Sequence, residues 1–170
     1  MMAAEKGPLG ICERFFEHLN QENLRYCHWK SNEHLGAALA GRTDLDLLVA
    51  PEERARLDAI LAALGFKRVD SPPERRFQGM SDRLGFDRDS GRLAHLHLHE
   101  QLVVGGRWSK NLHLPIEGLL LSDVVHIEGV RAPSPELELL LLTIRAPQKV
   151  SRLRLARRWR RDGCIAASGY

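Results

Sequence analysis

Apolar positions recur at helical spacing at Leu9, Cys12, Phe15, Phe16 and Leu19, which predicts an amphipathic helix over residues 8–19. The short apolar and aromatic run from Leu24 to Trp29 suits a strand. Ser31 or Asn32 then caps a short helix carrying Leu35, Ala38 and Leu39, and Gly41 stops it. Leu45, Leu47 and Val49 alternate with Asp44, Asp46 and Leu48, the pattern of a strand anchored in an apolar layer. Pro51 at a first helical position, with Glu52 and Glu53 in the first turn, opens a helix whose buried stripe is Leu57, Ile60, Leu61 and Leu64. Gly65 ends that helix, Phe66–Val69 reads as a strand, and Ser71-Pro72-Pro73 interrupts the pattern.

Residues 75–104 read as antiparallel strands turning at Asp87-Arg88-Asp89-Ser90-Gly91, with the second strand running from Leu93 to Val104. Val124–Val130 reads as one short strand. Ser134-Pro135-Glu136 caps a last helix built on Leu137, Leu140, Leu141 and Ile144. Helices alternating with strands, followed by a hairpin, predict an α/β (α+β) class with a mixed β-sheet flanked by helices.

A chain of 170 residues that is 44% hydrophobic can bury one core. The net charge of +3 hides an uneven distribution. Residues 1–148 hold 18 basic against 21 acidic side chains (net −3), and residues 149–170 hold 7 against 1 (net +6). This divides the chain into a domain over 1–148 and a basic C-terminal tail over 149–170. The tail is either the solvated face of a terminal helix or a contact for RNA, DNA or an acidic membrane surface. The first is expected, so nucleic acid is not the anticipated partner. No apolar run approaches the roughly 20 residues that cross a bilayer, and the first six residues lack the apolar core of a secretory signal. Cys12, Cys27 and Cys164 form no CxxC pair and are odd in number, so a reduced, cytoplasmic setting is expected. Cys27, on an apolar strand, reads as buried and inert.

Asp44 and Asp46 change the picture from fold to chemistry. Two carboxylates about 7 Å apart on one strand face repel unless water solvates them or a cation lies between them. They are either the exposed end of a strand or a divalent-ion site facing a phosphate. His95, His97 and His99 likewise alternate with Leu96 and Leu98, so three imidazoles share a strand face. Such a row is either a polar strand face near a cleft or part of a transition-metal site completed from other elements. Trp29, Trp108 and the phenylalanines read as packing residues, His28 as structural or part of a site, and Arg107 and Lys110 as surface charges or phosphate contacts.

Ser31, twelve intervening residues and then Asp44-Leu45-Asp46 resemble the core of the polymerase-β-type nucleotidyltransferase superfamily. Its pattern is Gly-Ser after the first strand, a D-h-D/E metal strand and a third carboxylate on a neighbouring strand. Tyr26–Leu35, Thr43–Val49 and His97–Leu102 are more closely similar to nucleotidyltransferase-like proteins of bacterial surface-polysaccharide loci, over roughly residues 9–145. The resemblance implies Asp44 and Asp46 as ligands of Mg²⁺ (or Mn²⁺), with an NTP as substrate. It places Lys30, Ser31, Asn32, Arg42 and Thr43 around the nucleotide. Asp44, Asp46, His97 and His99 are its catalytic set, acting on a small-molecule acceptor. A kinase-like partner domain is also implied, although no G-x-x-x-x-G-K-[ST] occurs in this chain.

Two departures qualify what the resemblance implies. Lys30 replaces the glycine that lets backbone approach phosphate, although its ammonium can contact phosphate itself. His97 stands where the third carboxylate is expected, and imidazole is a poor Mg²⁺ ligand. The chain is therefore an active transferase, a nucleotidyltransferase-like module that binds without turnover, or a binder driven by its tail.

Overall fold

The computed structural model describes residues 7–70, 72–73, 77, 79–106 and 109–149. Arg107, Trp108, Cys164, the side chain of Lys110 and the basic tail beyond Lys149 lie outside the described residues.

Among the described residues the chain runs α1 (Gly10–Gln21), β1 (Tyr26–His28), α2 (Leu35–Leu39), β2 (Leu45–Val49), α3 (Arg54–Ala63), β3 (Lys67–Val69), β4 (Met80–Asp87) and β5 (Arg92–His99). It continues through β6 (Val103–Gly106), β7 (Ser109–His113), α4 (Glu117–Ser122), β8 (Val124–Ile127), β9 (Val130–Pro133) and α5 (Pro135–Lys149). Five strands form one mixed sheet in the order β1-β2-β5-β4-β3, in which only the β2–β5 pair is parallel. β6–β7 and β8–β9 are separate antiparallel ribbons. The fold is α+β, as the pattern of elements predicts.

Strand alternation divides the sheet into two faces. Leu45, Leu47 and Val49 of β2 and Ala94, Leu96 and Leu98 of β5 join Phe15, Leu19, Leu39, Leu57, Ile60 and Leu61 of α1, α2 and α3 in the main core. Gly85 permits this close packing, since a Cβ there would come within 2.5 Å of Phe66 Cε1 and 2.7 Å of Ile11 Cδ1. The other face carries a smaller cluster of Cys27, Trp29, Leu48, Leu102, Val104, Leu120, Leu137 and Leu141. That cluster covers only the β1–β2 side, so Asp46 and the histidines of β5 lie beside it.

Several boundaries differ from the sequence expectations. The strand expected over Leu93–Val104 ends at His99. There the β4 partner ends at Met80, Glu100 N–H donates to Gly79 O (2.8 Å), and the chain bends into β6. Val124–Val130 is half of a hairpin: Glu128 and Gly129 both take left-handed conformations (φ 50° and 78°) and return the chain as β9. Neither Ser31 nor Asn32 caps a helix through its side chain. Ser31 is left-handed (φ 60°) and starts a 3₁₀ turn, Asn32–His34, that runs into α2. Pro51–Glu53 is also a 3₁₀ turn, leading into α3. In α5, Ser134 Oγ accepts the Leu137 N–H (3.5 Å) as a cap, but Leu140 is 43% exposed because only Leu137 and Leu141 face the small second cluster.

A long-range contact fixes the hairpin that carries the histidines. The N-cap position of α1 is Leu9, which has no capping side chain. Asp87, at the end of β4, supplies the acceptor instead, taking the Ile11 N–H (3.0 Å) while also accepting from Ser90 N–H (3.1 Å) and Ser90 Oγ (2.6 Å). The Ser90 hydroxyl foremost, with the two backbone donors, holds this carboxyl below the usual carboxylate range.

Candidate functional site

The sheet register builds the site. The parallel β2–β5 pair sets Asp46 beside His97, and the antiparallel β5–β4 pair sets His97 beside Asp82. Asp46, His97 and Asp82 therefore form a transverse row over three adjacent strands on the side away from the main core. Asp44, just before β2, and His95 of β5 lie two residues back along the chain, and His99 lies two residues forward.

Asp46 Oδ1 is the hub. It lies 3.3 Å from His97 Nδ1 and 3.2 Å from His99 Nε2, and the Lys30 ammonium pairs with the same oxygen. An ionised carboxylate only accepts, so these two ring nitrogens are assigned as the protonated ones. Burial by itself would raise the Asp46 carboxyl. The hydrogen bonds from His97 and His99, followed by the Lys30 charge, outweigh burial and hold it far below the usual range. His97 responds in the opposite sense: burial disfavours its charged form, but Asp46, then Asp44 and Asp82, raise it above an ordinary histidine. His99 is 3% exposed, and its burial wins, keeping it neutral.

Asp44 occupies the rim. Its side chain is 46% exposed, with Oδ1 2.8 Å from His95 Nδ1 and Oδ2 3.9 Å from His97 Nε2. Asp82 Oδ1 closes the far side at 3.4 Å from His97 Nε2 and 3.7 Å from His95 Nε2. The paired acids and the imidazole row thus lie together on one sheet face.

The remaining candidates fall into two groups. Lys30 is in the cluster, paired with Asp46 Oδ1. Asn32 is buried behind it, with Oδ1 2.6 Å from His28 Nδ1; His28 Nε2 is buried without a hydrogen-bond partner among the described residues, and burial keeps His28 neutral. Ser31 bends the chain between them. Arg42 and Thr43 are exposed in the bend before β2 and are not drawn into the ion-pair network. Cys27 is buried with its thiol pushed up by burial, and Cys12 is pushed up to about 12, chiefly by burial; both are inert.

Two contributors were not anticipated. Asp82 was recoverable: once Asp87 and Arg92 are recognised as closing the hairpin, counting five residues back and five forward pairs Asp82 with His97. Arg145 was not, because no local pattern says where the last turns of α5 dock. Its guanidinium lies 5.4 Å from the centroid of Trp29, which also has Lys30 Nζ at 5.2 Å and packs edge-on against His99 at 5.2 Å. Burial lowers Arg145, opposed by the nearby charges of Asp46 and Glu33.

Two sets of side chains have ligand atoms within 4.8 Å of one another: Asp44 with His95 and His97, and Asp46 with His97 and His99. Each combines one carboxylate with two imidazoles. Mg²⁺ prefers an all-oxygen octahedron, so neither set suits it, whereas transition ions that accept imidazole suit both.

Comparison of the chain with protein families, with curated proteins and with solved structures found no match in any of the three. Among the described residues no helix is long and apolar enough to cross a membrane.

Proposed function

We propose that this chain is a nucleotidyltransferase-like protein that binds a nucleoside triphosphate at the Asp46–His97–Asp82 cluster and passes its nucleotidyl group to a small hydroxyl- or amine-bearing acceptor. The observation that carries the proposal is the convergence of Asp44 and Asp46 with the imidazole row on one open sheet face. It is the arrangement that the resemblance of the Ser31 and Asp44-Leu45-Asp46 segments implies. A bound divalent ion would supply charge neutralisation at the reacting phosphate.

The chain's own residues account for the rest. Lys30 and Arg145 bring two cations to one end of the cluster, where a triphosphate needs counter-charge. Trp29 holds both in place. His97 is half-buried at the opening while His99 is enclosed, so His97 is the one that meets an acceptor. Asp44, at the rim, is positioned to accept a hydrogen bond from the acceptor.

A nucleotide-binding module without turnover is the alternative. It is favoured by the Lys30 ammonium already seated on Asp46 and by an imidazole at the third-carboxylate position. Pyrophosphate release from each NTP, with Mn²⁺ and pools of sugar and amine acceptors, separates the two. Release that is lost in Asp46→Asn supports transfer. Tight nucleotide binding without release supports the module, and neither binding nor release refutes both.

A further inference from the structure

We infer that the inner cluster is a three-ligand site for a borderline transition ion of the zinc class, formed by Asp46 Oδ1, His97 Nδ1 and His99 Nε2, and that the ion enters by displacing the Lys30 ammonium. This rests on the site identified above but not on its being a transferase.

The two contacts to Asp46 Oδ1 are long for charge-assisted hydrogen bonds and match the spacing of ligands around a metal. Charge-assisted N–H···O⁻ bonds settle at about 2.7–2.9 Å. Asp46 Oδ1 is instead 3.3 Å from His97 Nδ1 and 3.2 Å from His99 Nε2. A tetrahedron with metal–ligand bonds of about 2.0–2.1 Å has edges of roughly 3.3–3.4 Å. An Mg²⁺ octahedron with bonds of the same length has edges of roughly 2.8–3.0 Å. Two of the three ligand separations therefore already match a tetrahedral edge. The three residues each offer a ligand atom within 4.8 Å of the other two.

The surroundings match the chemistry of such a site. A metal-bound histidine usually gives its second ring N–H to a carboxylate, which fixes the ring and its tautomer. His97 has Asp82 Oδ1 at 3.4 Å from its Nε2, in the register row that crosses the sheet. Trp29 packs edge-on against His99 and holds that ring. Three protein ligands leave a fourth position open, the arrangement of catalytic rather than structural zinc. The Lys30 ammonium occupies the very oxygen a metal would use. Once displaced, that ammonium is free to meet an anionic group bound at the open position. On coordination the His97 imidazolium gives its Nδ1 proton to solvent and keeps its Nε2 proton, while neutral His99 moves its single proton from Nε2 to Nδ1.

Co²⁺ titration of the full chain, after chelator treatment, tests this without reference to activity. The expected result is the intense visible absorption of four-coordinate Co²⁺ at one equivalent, erased by Zn²⁺ and untouched by excess Mg²⁺. His99→Ala abolishes it, while His95→Ala, which removes none of the three proposed ligands, leaves the four-coordinate bands in place. Lys30→Met tightens Co²⁺ about tenfold by removing the competing cation, equivalent to about 1.4 kcal/mol. Asp82→Asn weakens Co²⁺ roughly tenfold or more without shifting the bands. A pale six-coordinate spectrum, displacement by Mg²⁺, loss of the bands in His95→Ala, or unchanged affinity in Lys30→Met each overturns the inference. Wild-type and Lys30→Met spectra decide the matter even where a histidine variant does not fold. Four-coordinate bands in a protein that binds no nucleotide would leave the metal site intact and remove the transferase proposal. Nucleotide binding with no such bands would do the reverse.

Discussion

Replacing Asp46 by asparagine keeps the shape of the side chain and removes its charge, making a permanent copy of the protonated acid. The carboxyl is held far below the usual range by His97, His99 and Lys30 against the opposing effect of burial. The folded state therefore favours the ionised form, and the substitution forfeits that preference. Removing one member of a buried ion pair typically costs about 3–5 kcal/mol. The Lys30 side chain is 19% exposed and can turn toward water, which recovers part of the loss. About 2–3 kcal/mol is the expected destabilisation. With a urea m-value of about 2 kcal/mol/M for a chain of this size, the midpoint falls by about 1–1.5 M. The measurement is urea unfolding in chelator at pH 7.5. A depressed carboxyl stabilises above its unfolded pKa of about 3.9, and the benefit is lost as pH falls from there toward the folded value. The gap between wild type and variant must accordingly shrink in that acid window. An unchanged or raised midpoint at pH 7.5 would refute the view that Asp46 is an ionised hub.

Three further outcomes follow from the same geometry. A raised His97 contributes stability that is complete below about pH 6.5 and lost as pH rises through its folded value, so the deficit of His97→Gln in chelator should be larger at pH 6 than at pH 8.5; an equal deficit at both would contradict the charged imidazole. Asp87→Ala removes the acceptor for Ile11 N–H and the brace on Ser90, and thermal unfolding should report a loss of about 2 kcal/mol, with a loss under about 0.5 kcal/mol showing that α1 needs no borrowed cap. Arg145→Ala should weaken triphosphate binding about fivefold, or about 1 kcal/mol, in a calorimetric titration while leaving the urea midpoint nearly in place; unaltered affinity would place the nucleotide away from Trp29.

Features encoded by neighbours along the chain were legible in the sequence. The apolar period located α1, α3 and α5, and the alternation around Asp44–Val49 and His95–His99 located β2 and β5 and the faces of their side chains. Strand parity alone was enough to predict that the aspartates and histidines would meet if the strands were adjacent. What was not legible depends on contacts distant in sequence. The break at Glu100 follows from where β4 begins, and the Glu128-Gly129 reversal needs two left-handed residues that lack the usual Asn-Gly signal. Asp87 was recognisable as a turn residue but not as the cap of a helix 76 positions away. Lys30 was expected on phosphate, yet it rests on Asp46, the buried carboxylate within its reach. Arg42 and Thr43, adjacent to the key strand in sequence, project to solvent because the chain has not yet entered the sheet.

The most direct test of the proposed function is an equilibrium titration of nucleoside triphosphate against the full chain, with Mn²⁺ and then with chelator, for wild type and Asp46→Asn. Binding that requires the ion in wild type and disappears in the variant is the predicted result. Equal affinity in all conditions, or none in any, would contradict a nucleotide site built on Asp46 and the β5 histidines.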